Sequence, residues 1–124
     1  MKIMIDTNFL VYCAKQKIDY ISEMPSGFVV VLSSVVEELR KLKNRAEKAG
    51  DKKNAEIALQ ILGRNISEGK IKVLKTSEKV GDEAIIAEVK EGDVVATMDK
   101  ELKKELKGKA SILTIKGKKK IEIL

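Results

Sequence analysis

Apolar positions along the chain fall into short unbroken runs, separated by longer stretches in which they recur every three or four residues. The runs are "KIMI" (2–5), "FVVVL" (28–32), "IKVL" (71–74), "VVATM" (94–98) and "SILTI" (111–115). Continuous rather than alternating apolar runs predict strands covered on both faces, as in parallel sheets. The intervening periodicity predicts helices over 34–48, 52–66, 82–90 and 99–107, with a weaker one within 8–22. Pro25 and Gly27 break the chain before the second run, and Gly50–Asp51, Gly69, Gly92 and Gly108 fall where helices should stop. The overall pattern is βα-alternating, with no internal repeat and no disordered linker. The pattern predicts one domain over residues 1–124, an α/β fold built as a three-layer α/β/α sandwich around a mainly parallel five-stranded sheet.

Composition narrows the chemistry such a fold can carry. The 124 residues include no His and a single Cys. That removes Ser–His–Asp and Cys–His nucleophiles, imidazole acid–base catalysis and His- or thiolate-bound zinc. What remains are carboxylates, lysines, hydroxyls and backbone, a donor set suited to hard, oxygen-bound ions such as Mg²⁺ or Mn²⁺. A lone Cys13 among apolar neighbours is expected to be a small buried hydrophobe in a reducing, cytoplasmic setting. No apolar run is long enough to span a bilayer, and the start of the chain lacks the apolar core of a signal peptide, so no membrane association is expected. A net charge of +6 favours a polyanionic partner, nucleic acid ahead of membrane. Aromatic residues make up only 3% of the chain, which argues against base-stacking platforms and leaves most of the work to phosphate contacts. The basic stretch 40–54 reads as the solvated ends of two antiparallel helices, whereas "KGKKK" (116–120), like Lys100, Lys103, Lys104 and Lys118 to Lys120, serves equally as solvated surface or as phosphate contacts.

Four acids stand out by position. Ligands of open α/β sheets bind beyond the carboxyl ends of the strands. Asp6 directly follows the first run and Asp99 the fourth. In "SSVVEELRKL" the apolar stripe is set by Val35, Leu39 and Leu42. Glu38 lies roughly 70° from its centre and Glu37 roughly 170° away, so Glu38 should border the buried face and Glu37 should face solvent. In "VGDEAIIAEVKEG", Ile85, Ile86 and Val89 define the apolar face and Asp82 projects along it, whereas Glu83 does not. Each Asp taken alone is most simply a helix N-cap, worth about 1 kcal/mol. Gathered at one edge they repel: two unit charges 4 Å apart cost about 4 kcal/mol at an effective dielectric of 20. A divalent cation removes that cost. The expected site is therefore Asp6, Glu38, Asp82 and Asp99 around Mg²⁺ or Mn²⁺.

The motifs "IMIDTN", "SSVVEEL", "GDEAI" and "VATMDKEL", in that order and spacing, resemble the PIN-domain ribonucleases over essentially the whole chain. The resemblance implies a Rossmann-like α/β/α sandwich whose acids hold one or two Mg²⁺ or Mn²⁺ ions and hydrolyse phosphodiester bonds of single-stranded RNA. It makes Asp6, Glu38, Asp82 and Asp99 the catalytic and metal-binding quartet. Thr7, Asn8 and Thr97 become the residues that orient those carboxylates or the scissile phosphate. The tail "TIKGKKKIEIL" is similar to that of stand-alone archaeal PIN proteins related to ribosomal-RNA processing nucleases. Two other roles fit the same resemblance: the toxin ribonuclease of a toxin–antitoxin pair, with an antitoxin protein as partner, and a non-catalytic RNA-binding scaffold, which the four retained acids oppose. The resemblance also admits a homodimer. A response-regulator receiver would need an acidic pair after the first strand and an Asp after the third, and a haloacid-dehalogenase-type phosphatase would need Asp-x-Asp. "DTN" and "IKVLKTS" supply neither.

Overall fold

A computed structural model describes residues 1–45, 47–76, 81–117 and 119–124. Among the described residues five strands are separated by helices, with two helices in succession between the second and third strands, and a sixth strand follows the fifth. They are β1 (Lys2–Ile5), α1 (Thr7–Gln16), β2 (Phe28–Leu32), α2 (Ser33–Arg45), α3 (Ala49–Ser67), β3 (Lys72–Leu74), α4 (Gly81–Glu88), β4 (Val94–Ala96), α5 (Lys100–Leu106), β5 (Ser111–Lys116) and β6 (Lys120–Ile123). A 3₁₀ turn over Ile21–Glu23 separates α1 from β2. The weak helix of 8–22 is thus the ten-residue α1 alone. It stops at Lys17, whose left-handed backbone (φ 57°) turns its N–H back onto the carbonyls of Cys13 and Ala14.

The sheet order is β3-β2-β1-β4-β5-β6. The first five strands pair in parallel, as their unbroken apolar runs require. Ile3, Met4 and Ile5 of the central β1, and Val95 and Ala96 of β4, are fully buried. The sheet differs from the expected one by β6, which pairs antiparallel with β5 so that Ile115 faces Ile121 and Lys116 faces Lys120. Gly117, at φ 61°, makes the left-handed turn between them. Its four residues alternate apolar and polar at a half-exposed edge, a weaker signal than the continuous runs of the interior. Two lysines of the basic tail are thereby answered: Glu122 lies 3.4 Å from Lys116 and 3.5 Å from Lys120. Lys118 lies outside the described residues, as do Ala46 and residues 77–80.

Gly50 does not stop a helix. It sits in the first turn of α3, while Gly69, Gly92 and Gly108 adopt positive φ where chain segments turn. The polar stretch 40–54 takes in the end of α2 and the start of α3, and the two helices pack closely. Cys13 is buried, and burial pushes its thiol up to about 12. Among the described residues no helix is long and apolar enough to cross a membrane.

Chain direction fixes where a ligand can sit. From β1 the chain crosses to β2 and β3 on one side, then returns to β4 on the other. Connections therefore leave β1 and β4 in opposite directions, opening a crevice beyond their carboxyl ends. Ile5 is level with Ala96, so Asp6 and Thr97 emerge side by side.

Candidate metal centre

Each acid reaches the crevice for a local reason. Asp6 leaves β1 in an extended conformation, its N–H bonded to the Ala96 carbonyl, and caps α1 by accepting the N–H of Thr7 at 2.8 Å. Asp99 caps α5 with Oδ1, which accepts the N–H groups of Glu101 at 2.9 Å and Leu102 at 3.3 Å. Capping and clustering are thus compatible, because a carboxylate has two oxygens and several lone pairs. Asp82 lies in the first turn of α4. One carboxylate oxygen from each of Asp6, Asp82 and Asp99 lies within 4.8 Å of the others.

Glu38 and Glu37 part as the helical wheel requires. Glu37 points outward and meets Arg40 at 2.7 Å, with both side chains 60% exposed. Glu38 is half-buried and lines the same cleft as the three Asp residues, outside the tight cluster. The stripe of α2 is shorter than its sequence suggests: Val35 and Leu39 are fully buried, while Leu42 is 39% exposed in the cleft wall.

Thr97 holds the arrangement together. Its fully buried hydroxyl donates to Asp6 Oδ2 at 2.8 Å and accepts the N–H of Asp99 at 3.0 Å. One side chain thus ties the Asp6 carboxylate to the backbone of Asp99. Asn8 lies one step out, its Oδ1 accepting the N–H of Met98 at 3.1 Å. Thr7 is buried and lines the cleft, and its hydroxyl finds no hydrogen-bond partner among the described residues. Lys103, by contrast, is engaged with the Thr114 hydroxyl at 2.8 Å.

Electrostatics mark the cluster as strained without a cation. Burial raises the Asp6 carboxyl above its ordinary range against the hydrogen bonds from Thr97 and Thr7, and the charges of Glu38 and Asp99 raise it further. Asp82 is pushed up to about 6, first by desolvation, then by the charges of Asp6 and Asp99. Asp93, buried at the opposite end of β4, behaves the other way. Desolvation works against its charge too, but N–H bonds from Lys2 and Lys90 and the Lys2 ammonium outweigh it and hold the carboxyl low. Asp93 has a cation beside it, whereas the crevice acids have one another's charges. Hard carboxylate oxygens at this separation, beside an orphaned buried hydroxyl, suit a divalent ion such as Mg²⁺ or Mn²⁺.

The cleft has a volume of about 540 Å³, well beyond one hydrated ion. Its remaining walls come from residues that the acid-by-acid reading of the sequence passes over: Val11, Tyr12 and Lys15 of α1, Leu42 of α2, and Asp51 and Asn54 of α3. The signal for them was present. Positions 8, 11, 12 and 15 form one helical stripe beginning two residues after Asp6, and 51 and 54 form another.

The sequence model of the family described as "PIN like domain" matches residues 3–118. The chain is also 35% identical to "Ribonuclease VapC4" of Methanocaldococcus jannaschii, over 98% of this chain and 95% of the relative.

Proposed function

The chain belongs to the PIN-like domain family, and on that premise we propose that it is a metal-dependent endoribonuclease that hydrolyses phosphodiester bonds of single-stranded RNA. The observation that carries the proposal is the meeting of Asp6, Asp82 and Asp99, from three separate elements, within 4.8 Å. Asp6 and Asp99 are the direct ligands of Mg²⁺ or Mn²⁺, one ion or two. Asp82 and Glu38 complete the shell directly or through water.

When bound, the ion acidifies a water and neutralises charge on the phosphodiester, which is why the reaction needs no His. The protein's own part is positioning. Thr97 links the Asp6 carboxylate to the Asp99 backbone, and the backbone N–H groups of α1 and α5 hold one oxygen of each carboxylate, which fixes the orientation of both at the cleft. Asn8 ties the start of α1 to the loop after β4, and Thr7 offers its unpaired hydroxyl to a water or a phosphate oxygen. Asp82, with a carboxyl raised to about 6, can carry a proton near neutrality before an ion arrives and release it on binding.

The related protein is a VapC-type ribonuclease, which favours a PIN-type toxin ribonuclease with an antitoxin partner over a role in ribosomal-RNA processing. A short neighbouring reading frame encoding a co-purifying partner would support the toxin role. For the activity, Asp6→Asn or Asp99→Asn should abolish Mn²⁺-dependent cleavage of a single-stranded RNA while the circular dichroism spectrum is retained. Equal cleavage by wild type and variants would place the activity elsewhere.

A further inference from the structure

The carboxylates occupy only one end of the cleft. The remainder is walled by an aliphatic surface from Val11 and Leu42, the half-buried Tyr12, the cation of Lys15, and a polar pair, Asp51 and Asn54, on the first turns of α3. Leu42 is one of the few large apolar side chains left more than a third exposed. It sits one helical turn beyond Glu38 on the same face of α2, so an apolar surface adjoins an acid of the centre directly. Tyr12 is anchored from the far side, its hydroxyl donating to the Gly117 carbonyl at 3.4 Å. Two smaller depressions adjoin the cleft at Leu42, one bordered by Lys41 and Arg45 and the other by Lys48.

An apolar wall beside a phosphate-cutting centre, with polar groups at its margin and cations beyond, matches the layout of one nucleotide: a flat apolar base, a hydrogen-bonding edge and a charged backbone. Building on the ribonuclease proposal, we infer that Val11, Tyr12, Leu42, Asp51 and Asn54 form a subsite for one nucleobase flanking the scissile phosphate. The base lies against Leu42 and Val11 and turns its edge towards α3. Asp51 accepts but cannot donate, whereas the Asn54 amide does both. Adenine, cytosine and guanine carry an exocyclic amino group that can donate to Asp51. Uracil has none, and both carbonyls flanking its single ring N–H repel a carboxylate. The subsite therefore discriminates against uracil, and Asp51 is the residue that does so.

The alternative role for Asp51 is purely local, an acid stabilising the start of α3. Nucleoside 5′-monophosphates separate the two, because they contain no bond for the enzyme to cut. In Mg²⁺, titrations of AMP, CMP, GMP and UMP followed by amide NMR should shift the resonances of Val11, Leu42 and Asn54. UMP should bind at least fivefold more weakly than the other three. Asp51→Asn should erase that ratio, whereas Leu42→Ala should weaken all four alike; loss of helix stability alone would not change a ratio between ligands. Equal affinities in the wild type, a ratio that survives Asp51→Asn, or shifts confined to another surface would overturn the subsite. Selective binding by a protein that cuts no RNA would leave the subsite standing and remove the nuclease. Cleavage of RNA with no base preference and no nucleotide binding here would do the reverse.

Discussion

Replacing Asp82 by Asn in the metal-free protein tests the electrostatic reasoning most directly. The Asp82 carboxyl sits at about 6 against an ordinary 3.8. At about 1.4 kcal/mol per pH unit, that displacement corresponds to roughly 3 kcal/mol as an upper bound. The side chain is only half-buried, so solvent screening reduces the cost to about 1–1.5 kcal/mol. Asn removes the charge and hence the repulsion, but gives up a favourable charge at the start of α4, worth about 0.5 kcal/mol. The net gain at pH 7 is about 0.5–1 kcal/mol, or roughly 2–4 °C in Tm for a domain of this size. The sign with pH follows from a folded-state carboxyl that is raised. Above about 6 both folded and unfolded chains are ionised, and the folded protein bears the whole cost. As pH falls from 6 towards 4 the folded chain takes up its proton first, so the metal-free wild type gains stability and the gap to the variant closes. Mn²⁺ should invert the order. At a hundredfold excess over its Kd it contributes about 2.7 kcal/mol to the wild type, and less to a variant that has lost a ligand charge. Thermal melts in EDTA and in MnCl₂, at pH 7 and pH 4, read all four quantities. Identical melting of the two metal-free proteins at pH 7, or equal stabilisation of both by Mn²⁺, would refute the argument.

Other substitutions probe the supporting geometry. Thr97→Val leaves Asp6 Oδ2 and the Asp99 N–H without their shared partner; it should cost about 1–3 kcal/mol in stability and 10- to 100-fold in Mn²⁺ affinity by calorimetry, with Thr97→Ser restoring most of both. Glu37→Gln removes an exposed ion pair and should change stability by less than about 0.5 kcal/mol with cleavage intact, whereas Glu38→Gln should slow cleavage at least about tenfold. Deleting residues 117–124 strips β6 from β5 and frees Tyr12 from its carbonyl partner; the melting temperature should fall by several degrees, about 2 kcal/mol or more, while Mn²⁺ affinity is unchanged.

The parts of this protein legible in its sequence are those where one local signal dominates. β1, β2 and β5 are β-rich apolar runs bounded by turns, and the structure places them within a residue of their expected limits. The separation of Glu37 from Glu38 follows from helical geometry alone. β4 ends at Ala96 rather than residue 98: the Thr97 N–H still reaches the Leu113 carbonyl of β5, but beyond it the chain turns to place Asp99 as the cap of α5. β6 was hidden because its pairing partner is supplied by the rest of the fold, and Gly50 misled because a helix start can tolerate the glycine that more often marks a helix end. The distal cleft wall was the least legible. Leu42 reads as core by its periodicity, and only the placement of α3 beside α1 shows that it borders an opening.

The same two aspartates begin helices α1 and α5 and meet in the crevice. That double duty constrains how this lineage could decay. A descendant released from selection for catalysis could not discard Asp6 or Asp99 for an arbitrary residue, since the adjoining helix would fray at its first turn. Retired copies should therefore drift towards Asn, Ser or Thr at these two sites and keep the fold, while Asp82, in the first turn of α4, and Glu38, within α2, are not N-caps and erode with less bias. An inactive relative would be recognisable by what it put in place of its acids.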